Sequence, residues 1–116
     1  MTSNVVALEA LKVDQAKPVT GQEYQYQLSL KDIPNGALAR IPPTLSGTNE
    51  DRLQIFIGEV KVYETVVAND PPSEIEATIP KEKFLQAQGV HDMYYVIYLG
   101  GGNPATSKKE KYFITL

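Results

Sequence analysis

The residues able to do chemistry are few. A single histidine, His91, sits in Gly89-Val90-His91-Asp92, and the 116 residues include no cysteine. An imidazole beside a carboxylate begins a general-base pair, which a serine nucleophile would complete. Neighbouring residues on an extended chain point to opposite faces, so His91 and Asp92 do not share a site there. A Gly-x-Ser-x-Gly elbow is also absent. His91 therefore reads as an exposed loop histidine. Glu74 and Glu76 stand two apart, which places both carboxylates on one face of a strand. Glycoside hydrolysis needs two carboxylates in differently tuned, partly enclosed settings. These two alternate with Ile75, Ala77 and Ile79, and read as a solvated polar face.

Asn49-Glu50-Asp51 and Asn69-Asp70 are acidic clusters of the kind that supplies oxygen to calcium. Calcium takes about six to eight oxygens from several segments, and no Asp-x-Asp-x-Asp spacing supports such a site. Gly100-Gly101-Gly102-Asn103 follows an apolar run, as a phosphate-cradling loop would. Pro104-Ala105-Thr106-Ser107 then leads to a strand and not to a helix, so the glycines read as a hairpin needing positive φ.

Composition narrows the field further. The lack of cysteine removes disulfide frameworks, zinc clusters, iron–sulfur sites and thiol nucleophiles together, and one histidine removes sites needing two imidazoles. No cofactor or metal is expected. With 11 Lys+Arg against 14 Asp+Glu, the formal charge of −3 gives no basic footprint for nucleic acid. Glu9 interrupts the N-terminal apolar residues before a secretory leader forms, and no window reaches the roughly 20 apolar residues that span a bilayer. The chain reads as soluble, with no membrane insertion.

The elements that would position any site are strands. Val, Ile, Thr, Tyr and Phe make up 36 of the residues, types that suit a pleated, half-buried surface. Glu23 to Leu30 alternates, with Tyr24, Tyr26, Leu28 and Leu30 on one face. Ile33-Pro34-Asn35-Gly36 is a turn, Ala37 to Ile41 a short strand, and Pro42-Pro43 a stop. Arg52 to Val62 is a long β run broken at Gly58, and it continues loosely through Tyr63 to Val67. Ile75 to Ile79 alternates again. Pro80 to Gln88 is the one helical piece, with Pro80 at its first position and Gly89 able to cap its end. Met93 to Leu99 is apolar throughout, as expected of a strand central to its sheet, and Tyr112 to Leu116 closes the chain. About seven short strands at this spacing predict a single all-β antiparallel sandwich over residues 1–116.

The second half has a familiar cadence: Asn35-Gly36-Ala37-Leu38-Ala39-Arg40-Ile41-Pro42-Pro43, a β run after Arg52, Ile79-Pro80 with a short helix, Tyr95-Val96-Ile97 before Gly101-Gly102-Asn103, then Ser107 and a closing strand. Over residues 20–116 this resembles bacterial immunoglobulin-like modules, which occur in tandem in large surface, adhesin-like proteins of pseudomonads and their relatives. Family members often carry a tryptophan where this chain has Phe56, and commonly an acidic residue where it has Leu99. The resemblance implies an immunoglobulin-like sandwich without catalytic residues. It also implies an extracellular or cell-surface setting as part of a larger chain. Tyr94 or Tyr95 fits either the tyrosine of a corner near the start of a penultimate strand or a plain core tyrosine.

A chain so poor in reactive groups is expected to act through its surface. Seven tyrosines without tryptophan invite a protein-binding or glycan-binding reading. Tyr94, Val96 and Tyr98 share one strand face, opposite Tyr95, Ile97 and Leu99; if outward, they form an apolar patch, and Tyr63 is added as a test position. The expected function is a non-enzymatic structural or binding module contacting a protein, a glycan, a neighbouring domain or another copy. The alternative is a stand-alone small effector, a toxin component or a phage- or bacteriocin-associated protein, that recognises a host-cell protein or glycan.

Overall fold

The computed structural model describes residues 8–42, 51–67, 74–98 and 104–116. Among them are ten strands, three of only two or three residues, and one short helix. The clusters Asn49-Glu50-Asp51 and Asn69-Asp70 and the Gly100–Asn103 loop lie outside the described residues, apart from the backbone of Asp51.

Alternation sets the larger sheet. β5 (Asp51–Ile57) pairs antiparallel with β8 (Gly89–Tyr98), placing Leu53, Ile55 and Ile57 opposite Ile97, Tyr95 and Met93. All six are buried, while Gln54, Phe56, Tyr94 and Val96 between them face outward and are half-buried. On the far side of β5 runs β6 (Val60–Val67), joined to it by a turn at Gly58 and Glu59. β8 is flanked on its other side by β9 (Pro104–Thr106) and β10 (Glu110–Thr115), one after the other along its length. β3 (Tyr26–Ser29) and β2 (Lys17–Pro18) complete the order β2-β3-β10-β8-β5-β6. β8, whose Met93–Tyr98 stretch is apolar throughout, is thus central, as that composition requires.

The smaller sheet has the order β1-β4-β7, from Lys12–Val13, Ala37–Ile41 and Ile75–Ile79. Ala37, Ala39, Ile41, Ala77 and Ile79 turn inward and join the residues of the larger sheet in one core. Small Ala37, Ala39 and Ala77 on this inner face and the large Tyr95 and Tyr112 of the other sheet are all buried in that core. Each fully buried Leu or Ile contributes about 1.5–3 kcal/mol, so the two-layer packing supplies most of the stabilisation. The architecture is an all-β sandwich of two sheets.

Three expectations need correction. The sheets are not antiparallel throughout, because β3 runs parallel to β10, with Leu28 opposite Ile114. The strand expected over Glu23 to Leu30 is the shorter β3: Leu30–Asp32 tightens into a 3₁₀ turn, and Tyr24 leaves the Tyr26/Leu28 face to meet Phe113, ring centroids 5.1 Å apart. The helix α1 spans only Lys81–Leu85, with Pro80 as its N-cap and not its first residue. A single turn is marginal alone; the complete burial of Phe84 holds it in place. Gly89, at φ 103, starts β8 instead of capping α1.

Candidate functional site: the outer face of the larger sheet

Tyr94, Val96 and Tyr98 do share a face, and it is the outer one. Register places Phe56 beside Tyr94, Gln54 beside Val96 and Arg52 beside Tyr98 on β5, with Thr106 and Pro104 of β9 flanking Val96 and Tyr98. The Phe56 and Tyr94 rings lie 5.3 Å apart at an interplanar angle of 6°. On the β9–β10 side, Lys109 Nζ stands over the Tyr94 ring, 4.6 Å from its centre. Both faces of that ring are therefore occupied, by an aromatic stack and by a cation–π contact. The Tyr94 hydroxyl donates to the Gly58 carbonyl at 2.8 Å, so the side chain is fixed at its tip as well. Farther along β10, Phe113 and Val90 are register neighbours, and Tyr24 leans on Phe113.

Charges frame this apolar strip. Lys111 Nζ meets Asp92 Oδ1 at 3.1 Å, and Lys61 Nζ meets Glu64 Oε1 at 2.7 Å. Arg52 Nε lies 3.7 Å from the same Glu64, and Gln54 Nε2 donates to it at 3.1 Å. The Lys61 ammonium, helped by Gln54, holds the Glu64 carboxyl below the usual carboxylate range.

Tyr63 is not part of this face. It lies opposite the buried Ile55 and packs against the core. The pairing slips between Ile55 and Phe56, and the bulge at Val62 reverses the alternation of β6. The same slip brings Lys61 and Glu64, three residues apart, onto one side.

The remaining candidates resolve into structural roles. His91 lies within β8 and not in a loop; it is half-buried, with Nε2 3.1 Å from the Gln88 carbonyl oxygen. Asp92 points to the other face toward Lys111, so the two form no catalytic pair. Glu74 and Glu76 sit on the outer face of the smaller sheet, where Arg40 Nη1 reaches them at 3.0 and 2.6 Å while its Nε reaches Asp14 at 2.7 Å. Asp14 is held below its ordinary pKa, chiefly by the Arg40 hydrogen bond, and the guanidinium itself is raised by the three carboxylates. Among the described residues, no three His, Asp or Glu side chains are placed to hold a metal ion. No described helix is long and apolar enough to cross a membrane.

Sequence reasoning overlooked several residues. Phe56, Lys109, Tyr24 and Phe113 complete the outer strip; Phe56 was legible from its alternation with Leu53, Ile55 and Ile57. Ser107 entered the sequence reading only as a mark before the closing strand, yet it is the one buried polar residue among those described. It fills the gap between β9 and β10, where its Oγ accepts from the Tyr95 amide at 3.0 Å and donates to the Lys108 carbonyl. Tyr95, on the inner face, donates its hydroxyl to the Glu9 carbonyl at 2.7 Å and ties the N-terminal segment to β8. Burial raises the Tyr95 pKa to about 12, with a lesser push from Glu9. Compared with protein-family models, with curated proteins and with solved structures, the chain finds no match.

Proposed function

We propose that this chain is a non-enzymatic, immunoglobulin-like binding module that contacts a protein partner through the outer face of its larger sheet. The observation that carries the reading is the strip of half-buried side chains Phe56, Tyr94, Val96 and Tyr98, in which Tyr94 is fixed by its stack on Phe56 and its hydrogen bond to Gly58. Pre-ordered aromatic side chains lose little entropy on contact and anchor interfaces well. A sugar would need a bare ring face to lie on, and both faces of Tyr94 are taken, which favours protein over glycan.

The strand order supports the immunoglobulin-like reading. β1-β4-β7 corresponds to strands A-B-E of that fold, and β10-β8-β5-β6 to G-F-C-C′, with β3 as an additional strand beside G. In a bacterial surface or secreted protein of the adhesin kind, such a unit would serve as a binding or spacing element. The lack of a nucleophile–base pair at His91 fits a role without catalysis.

The test is affinity capture from the source organism with wild-type protein and with Val96→Glu and Tyr98→Ala variants, their folding checked by circular dichroism. A protein retained by the wild type and lost from both folded variants supports the proposal. Retention by both variants overturns it.

A further inference from the structure

The outer face carries charge of the opposite sign to the molecule. Lys17, opposite Gln27 on the Phe113 side, joins Arg52, Lys61, Lys109 and Lys111 there. Among the described side chains on this face, the carboxylates are Glu64 and Asp92. Among the described side chains the face thus holds five basic residues against two acidic ones, in a chain whose formal net charge is −3. The existing ion pairs consume part of that excess: Lys111 is matched by Asp92, while Lys61 and Arg52 share Glu64. Lys109 is held over the Tyr94 ring and, like Lys17, has no carboxylate partner among the described residues.

Resting on the binding-face reading, we infer that the partner is an acidic protein surface bearing apolar side chains, which pairs with Lys17 and Lys109 while it covers the Phe56/Tyr94/Val96/Tyr98 strip. Charge complementarity selects this occupant. A second copy presenting the same face is disfavoured, since two net-positive surfaces would meet. A nucleic acid fits less well for two reasons. Base stacking needs free ring faces, and those of Tyr94 are occupied. Glu64 and Asp92, set among the cations, would also repel a continuous phosphate backbone. A protein with separated carboxylates avoids both.

The experiment titrates the isotope-labelled protein with a short synthetic peptide alternating Glu with Leu and Phe, and follows backbone amides by NMR. A counterpart with Gln for Glu, an oligo(dT) strand and phosphatidylglycerol vesicles are the comparison probes. The Glu peptide is expected to shift the amides around Tyr94, Val96 and Lys109, and its affinity is expected to fall as salt screens the pairs. The Lys17→Glu/Lys109→Glu variant, altered at two exposed positions, is expected to bind it at least roughly tenfold more weakly. Equal binding of the Gln peptide at the same amides overturns the acidic partner and leaves the binding face standing. No binding of the Glu peptide, unchanged affinity in the variant, or tighter binding of oligo(dT) or vesicles likewise rejects the acidic partner. Shifts confined to other surfaces reject both the partner and the face.

Discussion

The Tyr94 hydroxyl donates to the carbonyl of Gly58, 36 positions earlier, at 2.8 Å, and so ties the middle of β8 to the β5–β6 turn. The same ring stacks on Phe56, so its hydroxyl and its ring can be measured separately. Tyr94→Phe is expected to cost about 1 kcal/mol, the net worth of one hydrogen bond, because the ring stays in place. A double-mutant cycle with Phe56→Leu and Tyr94→Leu is expected to give a coupling of about 0.5–1.5 kcal/mol. Urea unfolding of the four proteins checks it; coupling near zero would mean the rings do not support each other.

Gly36 and Gly21 both have positive φ, at 99° and 77°, but their surroundings differ. A Cβ at Gly36 would stand 2.7 Å from the Ile79 carbonyl oxygen, whereas at Gly21 it would meet nothing within 4 Å. Gly21→Ala is expected to cost only the left-handed penalty, about 1–2 kcal/mol. Gly36→Ala should cost clearly more, since the β4–β7 pairing must also shift. Equal melting-temperature losses for the two variants would contradict this.

The inward sets Leu53/Ile55/Ile57, Ala77/Ile79 and Tyr112/Ile114 were legible because one face of each strand must leave water. The outward position of Tyr94, Val96 and Tyr98 followed from the same alternation once Tyr95 and Ile97 were known to be buried. Tyr63 was misplaced because a bulge inserts one residue without a compositional mark, and every later side chain changes face. The parallel β3–β10 pair and the Arg40 clamp join residues far apart in the chain, which local patterning does not encode. The role of Ser107 was illegible for a related reason: it matters because a break between two strands leaves its hydroxyl as the partner of the Tyr95 amide.

That break makes a direct prediction. Ser107→Ala leaves the Tyr95 amide and the Lys108 carbonyl without their buried hydroxyl partner. An unpaired buried polar group costs about 1–3 kcal/mol, so the loss should fall in that range. Hydrogen exchange localises it: the Tyr95 amide should exchange much faster, while amides in β4 should change only with global stability. Unchanged protection at Tyr95 would show that Ser107 does not close the gap.

The Arg40 cluster predicts an acid-side dependence. Asp14 titrates lower in the folded state than its unfolded value of about 3.9, because Arg40 hydrogen-bonds to the carboxylate. Its contribution is therefore present above that value and disappears as pH falls through the lower folded one. Arg40→Gln removes the cause, so wild type should exceed the variant in stability at neutral pH. The gap should narrow below about pH 4 as Asp14 protonates. Denaturant unfolding of both proteins at neutral and acid pH reads the difference; a gap that persists in acid would assign it to lost packing of the Arg40 stem.

Two buried tyrosines should respond oppositely to loss of their hydroxyls. Tyr95 donates to the Glu9 carbonyl, whereas the buried Tyr112 hydroxyl, with the Val13 backbone as its polar neighbour, makes no well-formed hydrogen bond among the described residues. Tyr95→Phe should cost about 1–2 kcal/mol, and Tyr112→Phe should be neutral or stabilising, since it removes a polar atom buried without a partner. Alkali separates them further. The folded Tyr95 titrates near 12 against about 10 when unfolded. Its stabilisation is complete below about pH 10 and is lost as pH rises toward 12, because only the unfolded chain ionises readily in that window. The advantage of wild type over Tyr95→Phe should therefore shrink across those two units. Burial raises Tyr112 further still, so Tyr112→Phe should resist alkaline unfolding better than wild type. Unfolding curves taken from pH 9 to 12 decide the matter, and a Tyr112→Phe protein that melts earlier than wild type would mean its hydroxyl has a partner after all.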